Sequence, residues 1–63
     1  MSILEQLQGV YIGKIEQVFP SLYSWQYDSM DILIKVDAKT GEVYTKFRLA
    51  PETDWVKDCW KIK

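Results

Sequence analysis

Asp31-Ile-Leu-Ile-Lys-Val-Asp37, then Ala38-Lys-Thr-Gly41, then Glu42-Val-Tyr-Thr-Lys-Phe-Arg-Leu49 is the stretch on which the fold turns. Two runs that alternate apolar and polar residues flank a short loop ending in glycine, the pattern of a β-hairpin. If Asp37 faces Glu42, then Val36 lies opposite Val43, Ile34 opposite Thr45, Ile32 opposite Phe47 and Met30 opposite Leu49, all on one face. That face is expected to be core, with Ile32, Ile34, Val36, Val43 and Phe47 committed to it. The other face carries Lys35 beside Tyr44, Leu33 beside Lys46 and Asp31 beside Arg48, the last a favourable cross-strand charge pair. A slip of one residue would exchange the faces and break both sets, so the register is strongly specified.

Upstream, Ser2-Ile-Leu-Glu5 has the form of a capping box, which predicts a short helix over about residues 3 to 8 with Gly9 as its left-handed C-terminal cap. Ile3, Leu4 and Leu7 share one face of it. Residues 10–19 have two readings: a continuation of the helical stripe through Tyr11, Ile15, Val18 and Phe19, or a strand. Gly9 and Gly13 would each cost about 1 kcal/mol inside a helix, and Val10, Tyr11, Ile12, Ile15, Val18 and Phe19 are β-formers, so the strand is preferred. Gly13 would mark a bulge or a close backbone approach. Pro20-Ser21 ends this segment. Tyr23, Trp25 and Tyr27 then alternate with polar residues as a short strand or ordered extended loop, and Asp28-Ser29 reads as a turn.

Downstream of Pro51, residues 52–63 fit two periods. Trp55 with Cys59 and Val56 with Trp60 stack at helical spacing, whereas Val56, Trp60 and Ile62 group as a strand. A helical turn passing into an extended tail is expected. The fold class is therefore α+β and mainly β: an antiparallel meander of three or four strands in one domain over residues 1–63, with a short N-terminal helix and a C-terminal helical turn. A half-open small barrel is the variant. The order of a glycine-bearing first strand, an aromatic segment and a Thr-Gly hairpin loosely resembles the first half of an oligonucleotide-binding barrel, although the chain is short for the usual five strands.

Sixty-three residues suit a small core near the lower limit of independent stability, which makes self-association an expectation. Nine aromatic residues supply the volume for that core and argue against disorder. Eight basic and nine acidic residues are too balanced to predict a nucleic-acid or membrane partner from net charge. A single cysteine, Cys59, and the absence of histidine leave no internal disulfide, no four-ligand zinc site and no cofactor to expect. They also remove the commonest general acid-base residue. A reducing, cytoplasmic setting fits best, and no stretch approaches the roughly 18 apolar residues of a membrane span.

Four groups of residues are candidates for chemistry. Gly9-Val-Tyr-Ile-Gly13-Lys14 is one residue short of a phosphate-binding loop and has Ile15 where a metal-binding hydroxyl is needed, so it reads as structure. Asp54 and Asp58 would share a helical face near Glu52, but Lys57 and Lys61 lie among them, as on a solvated face. Tyr23, Trp25 and Tyr27 are either core rings or a stacking platform and interface anchor. Lys35, Tyr44, Lys46 and Arg48 form a basic and aromatic patch on the outer hairpin face. The expected function is a non-catalytic interaction module that binds a protein or a second copy of itself. Single-stranded nucleic-acid binding through both candidate patches is the alternative, and a small enzyme using the C-terminal carboxylates is the third.

Overall fold

The computed structural model describes residues 2–63. The hairpin of β3 (Met30–Val36) and β4 (Glu42–Phe47) pairs Val36 with Val43, Lys35 with Tyr44, Ile34 with Thr45, Leu33 with Lys46 and Ile32 with Phe47, as the alternation requires. Its loop is locked by Asp37. The Asp37 amide donates to the Glu42 carbonyl (2.8 Å), its carbonyl accepts from the Gly41 amide (2.7 Å), and its Oδ1 accepts from the Lys39 amide (2.8 Å). At the far end the Arg48 amide donates to the Asp31 carbonyl (3.1 Å) and the guanidinium lies 3.6 Å from Asp31 Oδ2. The ladder stops there. Leu49 enters a turn and is 92 % exposed, so it does not face Met30.

Three further strands join the hairpin: β1 (Lys14–Phe19), β2 (Leu22–Tyr27) and β5 (Val56–Lys61). All five run antiparallel in the order β1-β2-β3-β4-β5, an open meander whose edges are β1 and β5. This corrects the expectation of three or four strands. It also replaces the expected C-terminal helical turn with a strand. β4 has a second edge to satisfy, and β5 supplies it, with the Ile62 amide donating to the Gly41 carbonyl at 2.7 Å just beyond the strand. The two-residue spacing then carries the day, because it turns Trp60 and Ile62 together onto the core. Consecutive strand order also distinguishes the sheet from the Greek-key barrel it loosely resembled in sequence.

The helix α1 spans Ile3–Val10, with the Ser2 hydroxyl accepting from the Glu5 amide at 3.2 Å. Gly9 lies within α1 and does not cap it. Tyr11 takes that place, its amide donating to the Leu7 carbonyl (2.8 Å), because the Tyr11 ring is drawn into the core. β1 accordingly begins at Lys14 and not at Val10. Gly13 marks the close approach foreseen for it: its φ is +133°, and a Cβ there would lie 2.7 Å from the Gln26 carbonyl oxygen. Nothing lies within 4 Å of a Cβ at Gly9. Gly9→Ala is therefore expected to stabilise the protein by about 0.5–1 kcal/mol through helix propensity and a less flexible unfolded chain, seen as a higher melting temperature by circular dichroism.

Leu7, Tyr11, Ile15, Tyr23, Ile34, Val36 and Val43 form the core on one face of the sheet, with Ile3, Leu4, Trp25, Trp60 and Ile62 packed against it. At 1.5 Å per residue α1 is only about 12 Å long, whereas strands of six or seven residues run about 20 Å. The helix therefore covers part of the face. Ile3 lies beside Val36 and Ile62 near the hairpin loop, and among the described residues the opposite end of the same face stays exposed at Tyr27, Met30, Phe47 and Val56. Among the described residues no helix is long and apolar enough to cross a membrane.

Candidate functional site

Side chains two apart on a strand share a face, so Tyr27, Met30, Ile32, Phe47 and Val56 all continue the core face beyond the reach of α1. Met30 pairs with Tyr27, Ile32 pairs with Phe47, and Val56 pairs with Thr45, two residues from Phe47 along β4. The row thus crosses four strands. Phe47 keeps 59 % of its surface exposed, Val56 65 %, Tyr27 45 % and Met30 41 %, while Ile32 is half-buried. Phe47 was expected in the core. It has the core orientation but no partner layer, because alternation sets the face a residue takes and not what lies over that face.

The aromatic series Tyr23, Trp25 and Tyr27 runs along this face from the core to the uncovered end. Tyr23 is buried, Trp25 half-buried and Tyr27 exposed. Trp25 stacks on Tyr27 at 6.1 Å with 12° between the ring planes, lies 4.7 Å from the Tyr11 ring, and donates from Nε1 to the Ile12 carbonyl (3.0 Å). Tyr11 in turn meets Trp60 at 5.8 Å, and its hydroxyl donates to Asp58 Oδ2 while accepting from Trp60 Nε1 at 3.4 Å. One ring thus ties the helix-to-β1 connection to β2 and β5. Burial, then the Asp58 hydrogen bond, pushes the Tyr11 hydroxyl well above the usual phenol range. Burial would raise the Asp58 carboxyl too, but hydrogen bonds from Tyr11, Cys59 and Trp60 outweigh it and hold Asp58 below its ordinary value.

Lys35, Tyr44, Lys46 and Arg48 lie on the opposite face, so the two candidate groups do not meet in one site. The outer face has its own organisation, which centres on Trp55. The Lys35 ammonium sits 5.0 Å from the Trp55 ring and 5.4 Å from the Tyr44 ring, and the Lys46 ammonium 4.7 Å from Trp55. Lys46 also donates to the Pro51 carbonyl (3.3 Å), so the 48–55 connection folds back over this face. The Tyr44 hydroxyl donates to Glu42 at 2.6 Å, and Lys57 and Lys61 lie 3.3 and 3.9 Å from the same carboxylate. Bonds from Tyr44 and Lys57 hold Glu42 below the usual carboxylate range, and Glu42 in turn raises the Tyr44 hydroxyl. Arg48 is paired with Asp31. The charges and rings of this face are largely engaged with one another, the exception being Asp31 Oδ1, which is buried without a hydrogen-bond partner.

The strand character of β5 separates the C-terminal carboxylates. Asp54 is exposed ahead of the strand, Asp58 points to Tyr11, and Cys59 is exposed with its amide bound to Asp58 Oδ1 (2.8 Å). Among the described residues no three His, Cys, Asp or Glu side chains converge as a metal site would require. Trp55 and Tyr11 were not singled out in the sequence as site residues. The signal for Trp55 was Pro51, which begins the return of the chain over the outer face. Comparison with protein-family models, curated proteins and solved structures found no match to the chain.

Proposed function

We propose that the protein is a non-catalytic interaction module whose uncovered sheet end docks on protein, in the first instance on a second copy of itself. The observation that carries this reading is the exposed row Tyr27, Met30, Phe47 and Val56 on the core face. With about 150–250 Å² per ring, the row presents on the order of 400 Å² of apolar surface, the size at which an exposed patch marks an interaction site and about half of one partner's share in a standard interface. Its composition of Phe, Tyr and Met matches the centre of such interfaces. A small chain with seven buried apolar residues among those described gains most from a second layer, and face-to-face packing of two copies supplies one. Single-stranded nucleic acid fits less well, because Tyr23, Trp25 and Tyr27 lie on the face opposite the lysines, and Lys35 and Lys46 are already held against the Tyr44 and Trp55 rings of their own face.

The test is sedimentation velocity over a wide concentration range for the native chain and for Phe47→Glu. The native chain is expected to shift toward dimer as concentration rises. Phe47→Glu, folded by circular dichroism, is expected to weaken association by about 30-fold or more, the loss of a central anchor worth about 2 kcal/mol. A native chain that stays monomeric throughout would overturn the self-association reading.

A further inference from the structure

The exposed row is held from behind. Consecutive strand residues point to opposite faces, so Lys46 stands behind Phe47 and Trp55 behind Val56. On the outer face the Lys46 ammonium lies 4.7 Å from the Trp55 ring and the Lys35 ammonium 5.0 Å from it, so one indole takes a cation from β4 and another from β3. The backbone adds little at this point. The β4–β5 ladder has a register break between Glu42 and Tyr44 and ends at Thr45 and Val56, two residues short of Phe47. Residues 48–55 then pass through turns, with the Ala50 amide donating to the Phe47 carbonyl (3.2 Å) and the Thr53 amide to the Ala50 carbonyl (3.1 Å). Arg48 ties the start of this connection to Asp31, and Lys46 holds its middle through the Pro51 carbonyl (3.3 Å). Only Ala50 and Trp55 are half-buried in it, and the other residues are exposed. The indole between its two lysines therefore fastens the end that leads into β5.

We propose that Trp55, clasped by Lys35 and Lys46, sets the position of Val56 relative to Phe47 and so controls docking on the opposite face. With the clasp closed, the row is continuous from Tyr27 to Val56. With it open, the start of β5 leaves the sheet end and the row loses its fourth strand. The inference rests on the docking reading above and adds its control from the outer face, which makes no docking contact. Charge is the working part, because an ammonium is drawn to the face of an indole and a neutral side chain of the same length is not. Loss of either charge lowers the fraction of chains whose row is complete, and the apparent affinity falls by that fraction.

The test combines sedimentation velocity with amide exchange of the dilute monomer. Lys46→Met keeps the stem and removes the cation, Lys46→Arg keeps a cation over the ring, and Trp55→Leu removes the ring. Tyr44→Phe is the control, since it breaks the Tyr44–Glu42 bond on the same face and leaves the clasp intact. Lys46→Met is expected to weaken association about fivefold and Trp55→Leu about tenfold or more, with exchange at residues 55–57 quickened in the same order. Lys46→Arg and Tyr44→Phe are expected to associate as the native chain does. The proposal is overturned if Lys46→Met and Trp55→Leu, both folded, dimerise as tightly as the native chain, for then the clasp alone has failed. It is also overturned if Tyr44→Phe weakens association as much as they do, which marks a general loss of stability. A native chain that stays monomeric at every concentration overturns the docking reading and this control together.

Discussion

Gly41→Ala is expected to cost about 2–4 kcal/mol and to release β5 from the sheet. Gly41 has φ +76°, which costs an L-residue about 1–2 kcal/mol. A Cβ there would also collide with the Ile62 carbonyl oxygen, which must move, although the Ile62 amide is bound to Gly41 at 2.7 Å. The hairpin loop and the last strand therefore fail together. At about 0.05–0.15 kcal/mol per residue, such a loss takes a large part of the total stability. Thermal melts of the variant are expected to fall by about 4–8 °C for each kcal/mol lost. Amide exchange is expected to rise first at residues 56–62, ahead of the β2–β3 centre. Unchanged exchange in β5 would contradict the assigned role of this approach.

Tyr11→Ala is expected to be at least as damaging, at about 3–5 kcal/mol, because it empties a ring site shared by α1, β2 and β5. Tyr11→Phe separates packing from hydrogen bonding. It keeps both ring contacts and removes only the hydroxyl that Asp58 accepts from, so about 1.5 kcal/mol is expected to be lost, the low end for a charged acceptor, since Asp58 stays partly hydrated. The pH dependence distinguishes the variants further. The folded pKa of Asp58 is depressed, so its contribution is complete above the unfolded value of about 3.9 and is lost as pH falls through the lower folded value. The folded pKa of Tyr11 is raised, so its contribution is complete below about pH 10 and is lost as pH rises toward the folded value. Tyr11→Phe removes the alkaline component and lets burial push the Asp58 carboxyl upward. Carboxyl-carbon titration by NMR and urea melts across pH measure both.

How much of this was legible in the sequence depended on whether a residue's neighbours were local. The hairpin register was readable because Asp37, Thr40 and Gly41 specify the loop and the alternation of Ile32, Ile34, Val36 and Val43 specifies the face. The end of α1 was misplaced because Gly9 satisfies the local rule for a C-terminal cap, whereas the tertiary contacts of Tyr11 prolong the helix to Val10. Residues 55–62 fit two periods equally well. The unpaired edge of β4, a long-range feature, selected the strand.

The candidate site was legible in its residues and not in its boundary. Tyr23, Trp25 and Tyr27 were identified as one series, but only the short reach of α1 divides it into buried Tyr23 and exposed Tyr27. The same division turns Phe47 from a core residue into the centre of the exposed row. Lys35 and Lys46 were seen as a patch. Their engagement with Trp55 was hidden because that ring arrives from a connection outside the hairpin.

The central claim is that the sheet end bearing Tyr27, Met30, Phe47 and Val56 is where two copies meet. The most direct measurement is an isotope-filtered NOE experiment on an equal mixture of carbon-13-labelled and unlabelled chains at a concentration that populates dimer. The account predicts intermolecular contacts from the Met30 and Val56 methyl groups of one copy to the Phe47 and Tyr27 rings of the other. Association without those contacts, or contacts confined to the outer face around Trp55, would contradict it.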